Sequence, residues 1–197
     1  MEQHIVHTQD SKLDRTRNLP EYDVAKLLKP FFESLKVGSR ILDLGAGTGL
    51  QAQEAVHRGM YVTAVDLTER PKNVDDRVQW IQQPLEQFVA SLHPEHMFDA
   101  MLLQNIIHFF PKEYITHVLL PSLQRYLLSG GIIAIETMSA PPTPMLKKFQ
   151  SFYSPDELAA LLDGGVLLSE QEDTQRKEDD GSIRIFHHTR ILVRHTE

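Results

Sequence analysis

The sequence predicts a doubly wound α/β fold: a seven-stranded, mainly parallel sheet with an N-terminal helix and a C-terminal antiparallel hairpin. Three observations predict it. Short β-rich runs alternate with longer helical stretches from Arg40 to Glu136, the pattern of right-handed βαβ crossovers covering both faces of a sheet. A glycine-rich turn, Asp43-Leu44-Gly45-Ala46-Gly47-Thr48-Gly49, stands between the first of these strands and the helix after it. Beyond Gly164 the alternation gives way to two strands joined through Asp180-Gly181, which carries turn chemistry and makes them antiparallel.

In order along the chain, residues 1–20 are mixed and polar. Tyr22, Ala25, Leu28, Phe31, Phe32 and Leu35 then recur at helical spacing and predict an amphipathic helix over 21–36. Strands are expected at 41–44, 61–65, 78–81, 98–103 and 131–136. Helices are expected at 48–58 and 112–128, the second broken or kinked at Pro121, because proline lacks an N–H and crowds the preceding turn. Ser139-Ala140-Pro141-Pro142-Thr143-Pro144 reads as a flexible linker. Ser154 is placed to cap a helix, with Pro155 at its first position and Glu157 three residues after the cap; Gly164-Gly165 should end it. A strand at 166–169, a charged connection over 170–180 and a strand at 183–193 complete the sheet. The 197 residues suit one domain, with 1–36 as a helical cap and 37–197 as the core.

Composition narrows the function classes. The formal charge of −7 argues against a phosphate backbone as partner, so no nucleic-acid partner is expected. With no cysteine there is no thiolate metal site and no cysteine nucleophile. His93 and His96 flank Pro94, and His187 adjoins His188, but neither pair has a third ligand in view, so no metal is expected. No apolar run approaches the roughly 20 residues that cross a bilayer, and the polar start has no signal-peptide core. A cytoplasmic protein without a membrane partner is the expectation.

The glycine turn carries the functional signal. A ligand reaches main chain there only where side chains are absent, and the helix beyond offers free N–H groups and a partial positive charge. Asp66 ends the second strand, where a carboxylate can accept both hydroxyls of a ribose, so an adenine nucleoside derivative is the expected ligand. A dinucleotide fingerprint needs G-x-G-x-x-G, and Leu50 occupies its third glycine position. The glycine falls one residue early, at Gly49.

An acidic residue followed by Gly-x-Gly-x-Gly resembles the cofactor motif of class I S-adenosylmethionine (SAM) dependent methyltransferases, and the resemblance runs over roughly residues 38–194. It implies a Rossmann-like sheet and SAM as cofactor. Asp43 would contact the amino-acid end of SAM, Gly45, Ala46, Gly47 and Gly49 would form the turn, and Asp66 with Leu67 beside it would meet the ribose and base. The family usually has an Asp after the third strand for the adenine amino group. This sequence has Gln82-Gln83-Pro84-Leu85 instead, so Gln83 or the Leu85 backbone would have to serve. Layout and size are similar to the tellurite-resistance group of small methyltransferases.

Ligands of open α/β sheets lie beyond the carboxyl ends of the strands, so Gln104, Asn105 and His108 are expected to face the transferred methyl. Gln104 is assigned to the cofactor, Asn105 and His108 to catalysis, with His108 as the proton acceptor if the acceptor is a hydroxyl or amine; it could equally pack or cap at the strand end. Met138, Met145, Phe149, Phe152 and Tyr153 either wall an acceptor pocket or pack on the sheet. Without an insertion to grip a macromolecule, the expected partner is a small-molecule methyl acceptor: a thiol or chalcogen, a hydroxyl or an amine. Two other readings are a SAM-binding module without catalysis and a NAD-dependent oxidoreductase, the latter opposed by Leu50 and the terminal hairpin.

Overall fold

The computed structural model describes residues 25–144 and 146–196. Tyr22, the first residues of the expected cap helix and Met145 lie outside them. The helix that is described, α1 (Ala25–Glu33), buries Phe31 and Phe32 as expected, but its third buried residue is Leu27, while the expected Leu28 is only partly buried.

Seven strands follow, interleaved with helices: β1 (Arg40–Leu44), α2 (Leu50–His57), β2 (Tyr61–Asp66), β3 (Gln79–Gln82), α3 (Leu85–Ala90), β4 (Phe98–Gln104), α4 (Lys112–Tyr114), α5 (Leu120–Gln124), β5 (Leu127–Thr143), α6 (Pro155–Ala160), β6 (Gly164–Lys177) and β7 (Ile183–His195). They form one sheet in the order β3-β2-β1-β4-β5-β7-β6. The first five are parallel, while β7 runs antiparallel to both β5 and β6. The chain reverses direction across the sheet between β1 and β4, so the crevice at their carboxyl ends is the topological switch point where such sheets bind ligands.

Over the parallel strands the body of the sheet is apolar on both faces, as a covered parallel sheet requires. Leu42, Leu44, Met101, Leu103, Ile133 and Ile135 pack under Phe88, Ile115, Leu123 and Leu158 of the later helices. On the other face Ile41, Ala100, Leu102, Ile132 and Ala134 meet α1 and Ala52, Ala55 and Val56 of α2. The Ser154 capping box forms as expected: Glu157 N–H donates to Ser154 Oγ at 3.2 Å and Ser154 N–H to Glu157 Oε2 at 2.8 Å.

Three expectations are corrected. Pro121 does not break its helix: a π-helical turn over Ile115–Leu119 joins α4 to α5, and such a widened turn takes up the missing N–H and the bulk of the ring. The stretch 139–144 is not a linker, because β5 continues through Thr143. It pairs Ala140 with His187 and Thr143 with Ile185, with one register shift at Ser139 and a second that accommodates Pro141 and Pro142. The charged connection over 170–180 is strand as far as Lys177, paired residue by residue with β7. Among the described residues no helix is long and apolar enough to cross a membrane.

Candidate cofactor and active site

The turn after β1 is built for main-chain contact. Gly45, Gly47 and Gly49 all have positive φ, at 75°, 55° and 73°. A Cβ on Gly45 would sit 2.7 Å from Ile106 of the β4 loop, and one on Gly49 would sit 2.5 Å from Val74, so conformation and space both demand glycine. The N–H groups of Gly45 and Ala46 donate to the Val65 carbonyl at 2.8 and 3.1 Å, which ties the turn to β2.

Asp66 ends β2 as expected, but it already has partners. Its Oδ2 accepts the Gly47 N–H at 2.7 Å, and its Oδ1 accepts the Thr68 N–H at 2.9 Å and the Thr68 hydroxyl at 2.7 Å. A carboxylate offers about four acceptor positions. Two ribose hydroxyls therefore have to share or displace one of these contacts.

Asp43 is the reverse case. It is 3% exposed, its Oδ2 has no hydrogen-bond partner among the described residues, and burial, reinforced by the nearby charge of Asp66, pushes its pKa up to about 7. A cationic or N–H donor brought to the turn would satisfy that oxygen. Because the folded-state pKa lies above the ordinary 3.8, the folded protein holds a proton that the unfolded chain gives up. The contribution of Asp43 to stability therefore falls as pH rises from about 4 to about 7. Asp43→Asn is expected to stabilise the protein by about 1–3 kcal/mol at pH 8 and hardly at all near pH 4. Urea unfolding of both proteins across that range measures it; a gap independent of pH would remove Asp43 as its source.

At the end of β4, Asn105 takes φ 55°, a left-handed conformation that asparagine tolerates better than most residues. Its N–H donates to the Glu136 carbonyl at 2.8 Å, and its Oδ1 is buried without a partner among the described residues. The Gln104 amide donates from Nε2 to Glu136 Oε2 at 2.7 Å. His108 does not stand on this crest as an accessible base. Its ring is 2% exposed and lies between Phe109 and Phe149, with centroids at 4.3 and 4.5 Å, and Nδ1 is 3.3 Å from Thr137 Oγ1. Burial, with the Lys148 and His188 charges, lowers its pKa to about 3, so it stays neutral and binds a proton weakly. Phe149 and Tyr153 are likewise buried packing residues.

Of the residues expected to border the adenine, Gln83 donates its N–H to the Asp66 carbonyl at 3.0 Å, and its side chain makes no hydrogen bond among the described residues. Leu67 is 49% exposed, whereas the Leu85 side chain belongs to the core. The sequence reading missed Glu136 and Arg190, both fully buried and joined by Arg190 Nε donating to Glu136 Oε1 at 2.8 Å. The signal was present: each is a lone charge inside an apolar run, Ile132 to Ile135 before one and Ile191 to Val193 after the other.

The chain matches the family model described as a methyltransferase domain over residues 14–172, most of its length. It belongs to this methyltransferase family. The methyl donor of the family is S-adenosylmethionine. The demethylmenaquinone methyltransferase of Clavibacter sepedonicus is 30% identical over 127 residues, 59% of this chain and 48% of that protein. The chain thus spans about half the length of the curated relatives it matches. Among solved structures, the 1,6-didemethyltoxoflavin-N1-methyltransferase of Burkholderia thailandensis has a TM-score of 0.62 at 22% identity, covering 89% of this chain and 81% of that one. TehB of Haemophilus influenzae has a TM-score of 0.71 at 15% identity, covering 86% and 61%. At these identities the structural likeness establishes the Rossmann-like methyltransferase fold.

Proposed function

We propose that this methyltransferase-family chain binds SAM across the β1–α2 turn and transfers its methyl to a small-molecule acceptor. The observation that carries the reading is Asp43, a buried carboxylate with one oxygen unpartnered among the described residues, beside three positive-φ glycines. The amino-acid ammonium of SAM is the donor such an oxygen lacks. In this reading Gly45, Ala46, Gly47 and Gly49 admit the cofactor to the main chain, Asp66 receives ribose hydroxyls, and Leu67, Gln83 and the Leu85 backbone border the adenine. Gln104 and Asn105 stand at the methyl end.

The bound sulfonium supplies an activated methyl group. An acceptor lone pair forms the new bond to the methyl carbon as the carbon–sulfur bond breaks and its electron pair returns to sulfur. What the chain contributes is alignment and exclusion of water, which in well-oriented systems reach effective molarities of about 10⁵–10⁸ M. His108 is neutral and enclosed, so it is not an accessible imidazole to take a proton. That favours acceptors already nucleophilic at neutral pH, thiolates and chalcogen anions first, over unactivated hydroxyls. The named relatives support a small acceptor: one acts on demethylmenaquinone, and another was solved with 1,6-didemethyltoxoflavin and S-adenosylhomocysteine bound.

SAM and S-adenosylhomocysteine should each stabilise the protein against heat, by about 2.7 kcal/mol at 100 times the dissociation constant, and NAD should not. Thermal melts with the three ligands test this. A shift with NAD and none with the other two would overturn the proposed site.

A further inference from the structure

A row of polar side chains crosses the face of the sheet that α1 covers, one rung above apolar residues. Register alignment sets Gln104 of β4 opposite Glu136 of β5, Glu136 opposite Arg190 of β7, and Arg190 opposite Glu170 of β6. The rung beneath it is Leu102, Ala134, Leu192 and Leu168. Arg190 donates from Nε to Glu136 Oε1 at 2.8 Å and from Nη1 to Glu172 Oε2 at 2.7 Å, and Glu172 continues to Lys26 Nζ of α1 at 3.0 Å. For stability alone, apolar side chains would serve such a buried position as well as an ion pair does.

We infer that the Glu136–Arg190 pair positions the Gln104 amide with its oxygen, and not its NH₂ group, toward the cleft, so that this point at the methyl end favours a positive charge. The inference rests on the donor site proposed above. Above its pKa of about 7 the Glu136 carboxylate is ionised and only accepts hydrogen bonds. With Oε1 held by Arg190, Oε2 fixes the Gln104 amide through Nε2 at 2.7 Å. The Gln104 oxygen is left on the other side, without a hydrogen-bond partner among the described residues. The donor carries a sulfonium charge that its product, the neutral thioether S-adenosylhomocysteine, lacks. A fixed amide oxygen there attracts the first more than the second, and Glu136 acts through Gln104 as a positioning residue.

Glu136→Gln tests this with almost no change of shape. Arg190 still needs an acceptor, so the new amide turns its oxygen to Arg190 and its NH₂ to Gln104. The Gln104 amide then has to invert and present NH₂ to the cleft. Calorimetric titration of SAM and of S-adenosylhomocysteine into the full chain is expected to show SAM weakened about tenfold and S-adenosylhomocysteine by less than about threefold. The Gln104 side-chain ¹⁵N–¹H amide signals, assigned by their loss in Gln104→Met, should also move. Gln104→Met leaves the ion pair in place, removes the dipole without inverting it, and should shift the SAM preference in the same direction by a smaller factor; it decides the matter if Glu136→Gln does not fold. Equal weakening of both ligands, or no change in either, overturns the positioning role. If the wild type binds neither ligand, the donor site itself falls, and that is seen before any variant is made.

Discussion

Arg190→Met is expected to destabilise the protein by about 3–5 kcal/mol at pH 8, the cost of leaving one member of a buried ion pair alone. Glu136 is 0% exposed, and without the guanidinium its carboxylate keeps, among the described residues, only the Gln104 amide as a side-chain donor. Burial already pushes its pKa up to about 7, against the pull of the Arg190 charge and hydrogen bond. Losing that pull raises it further. The folded variant then holds a proton that the unfolded chain releases above the ordinary carboxylate range, so its stability falls as pH rises toward the folded-state value. The defect should be smaller at pH 5 than at pH 8. Urea unfolding at the two pH values measures both quantities, and the double variant Glu136→Leu, Arg190→Met should recover most of the loss. A defect below about 1 kcal/mol at pH 8 would mean that water reaches Glu136.

Asp66→Ala is expected to weaken SAM binding by about 10- to 1,000-fold, from charge-assisted hydrogen bonds worth roughly 1.5–3 kcal/mol each and partly replaced by water. The structure adds a second source to that loss. Asp66 also receives the Gly47 N–H and both donors of Thr68, so its removal loosens the glycine turn that the cofactor would lie on. Asp66→Asn should be milder, since its amide oxygen can still accept one of these bonds. Calorimetric titration, with circular dichroism to check the fold, separates lost binding from lost structure. Wild-type affinity in a folded Asp66→Ala protein would place the ribose elsewhere.

The parallel half of the sheet was legible because each of its strands is an apolar run between turn signals, and because the glycines sit where a strand meets a helix. The antiparallel half was not. In β6 the residues facing Arg190, His188, Phe186 and Arg184 are Glu170, Glu172, Thr174 and Arg176, so the period-two pattern is polar on both faces and reads as a loop. Prolines hid the end of β5 in the same way, since they mark linkers far more often than bulged strands. The glycine turn and the two acids beside it stand in the fold where type and spacing put them. For His108 the sequence leaves an accessible base and a packed ring equally open, because enclosure by Phe109 and Phe149 depends on a segment about 40 residues away in sequence, which no local pattern reports. Glu136 and Arg190 went unremarked because one charge within an apolar strand acquires its meaning only when the register sets its partner opposite.

The order β5-β7-β6 also dictates an order of assembly. β6 is made before β7, yet β7 is the strand it pairs with, and β7 must enter between β6 and β5. On the ribosome, at ~5–20 residues per second, Lys177 therefore precedes His195 by about one to four seconds, during which β6 has no neighbour to accept its backbone groups. A hydrophobic strand left waiting would recruit other nascent chains edge to edge. The density of charge from Glu170 to Lys177 makes this one a poor template for such pairing, both while it waits and as the edge of the finished sheet.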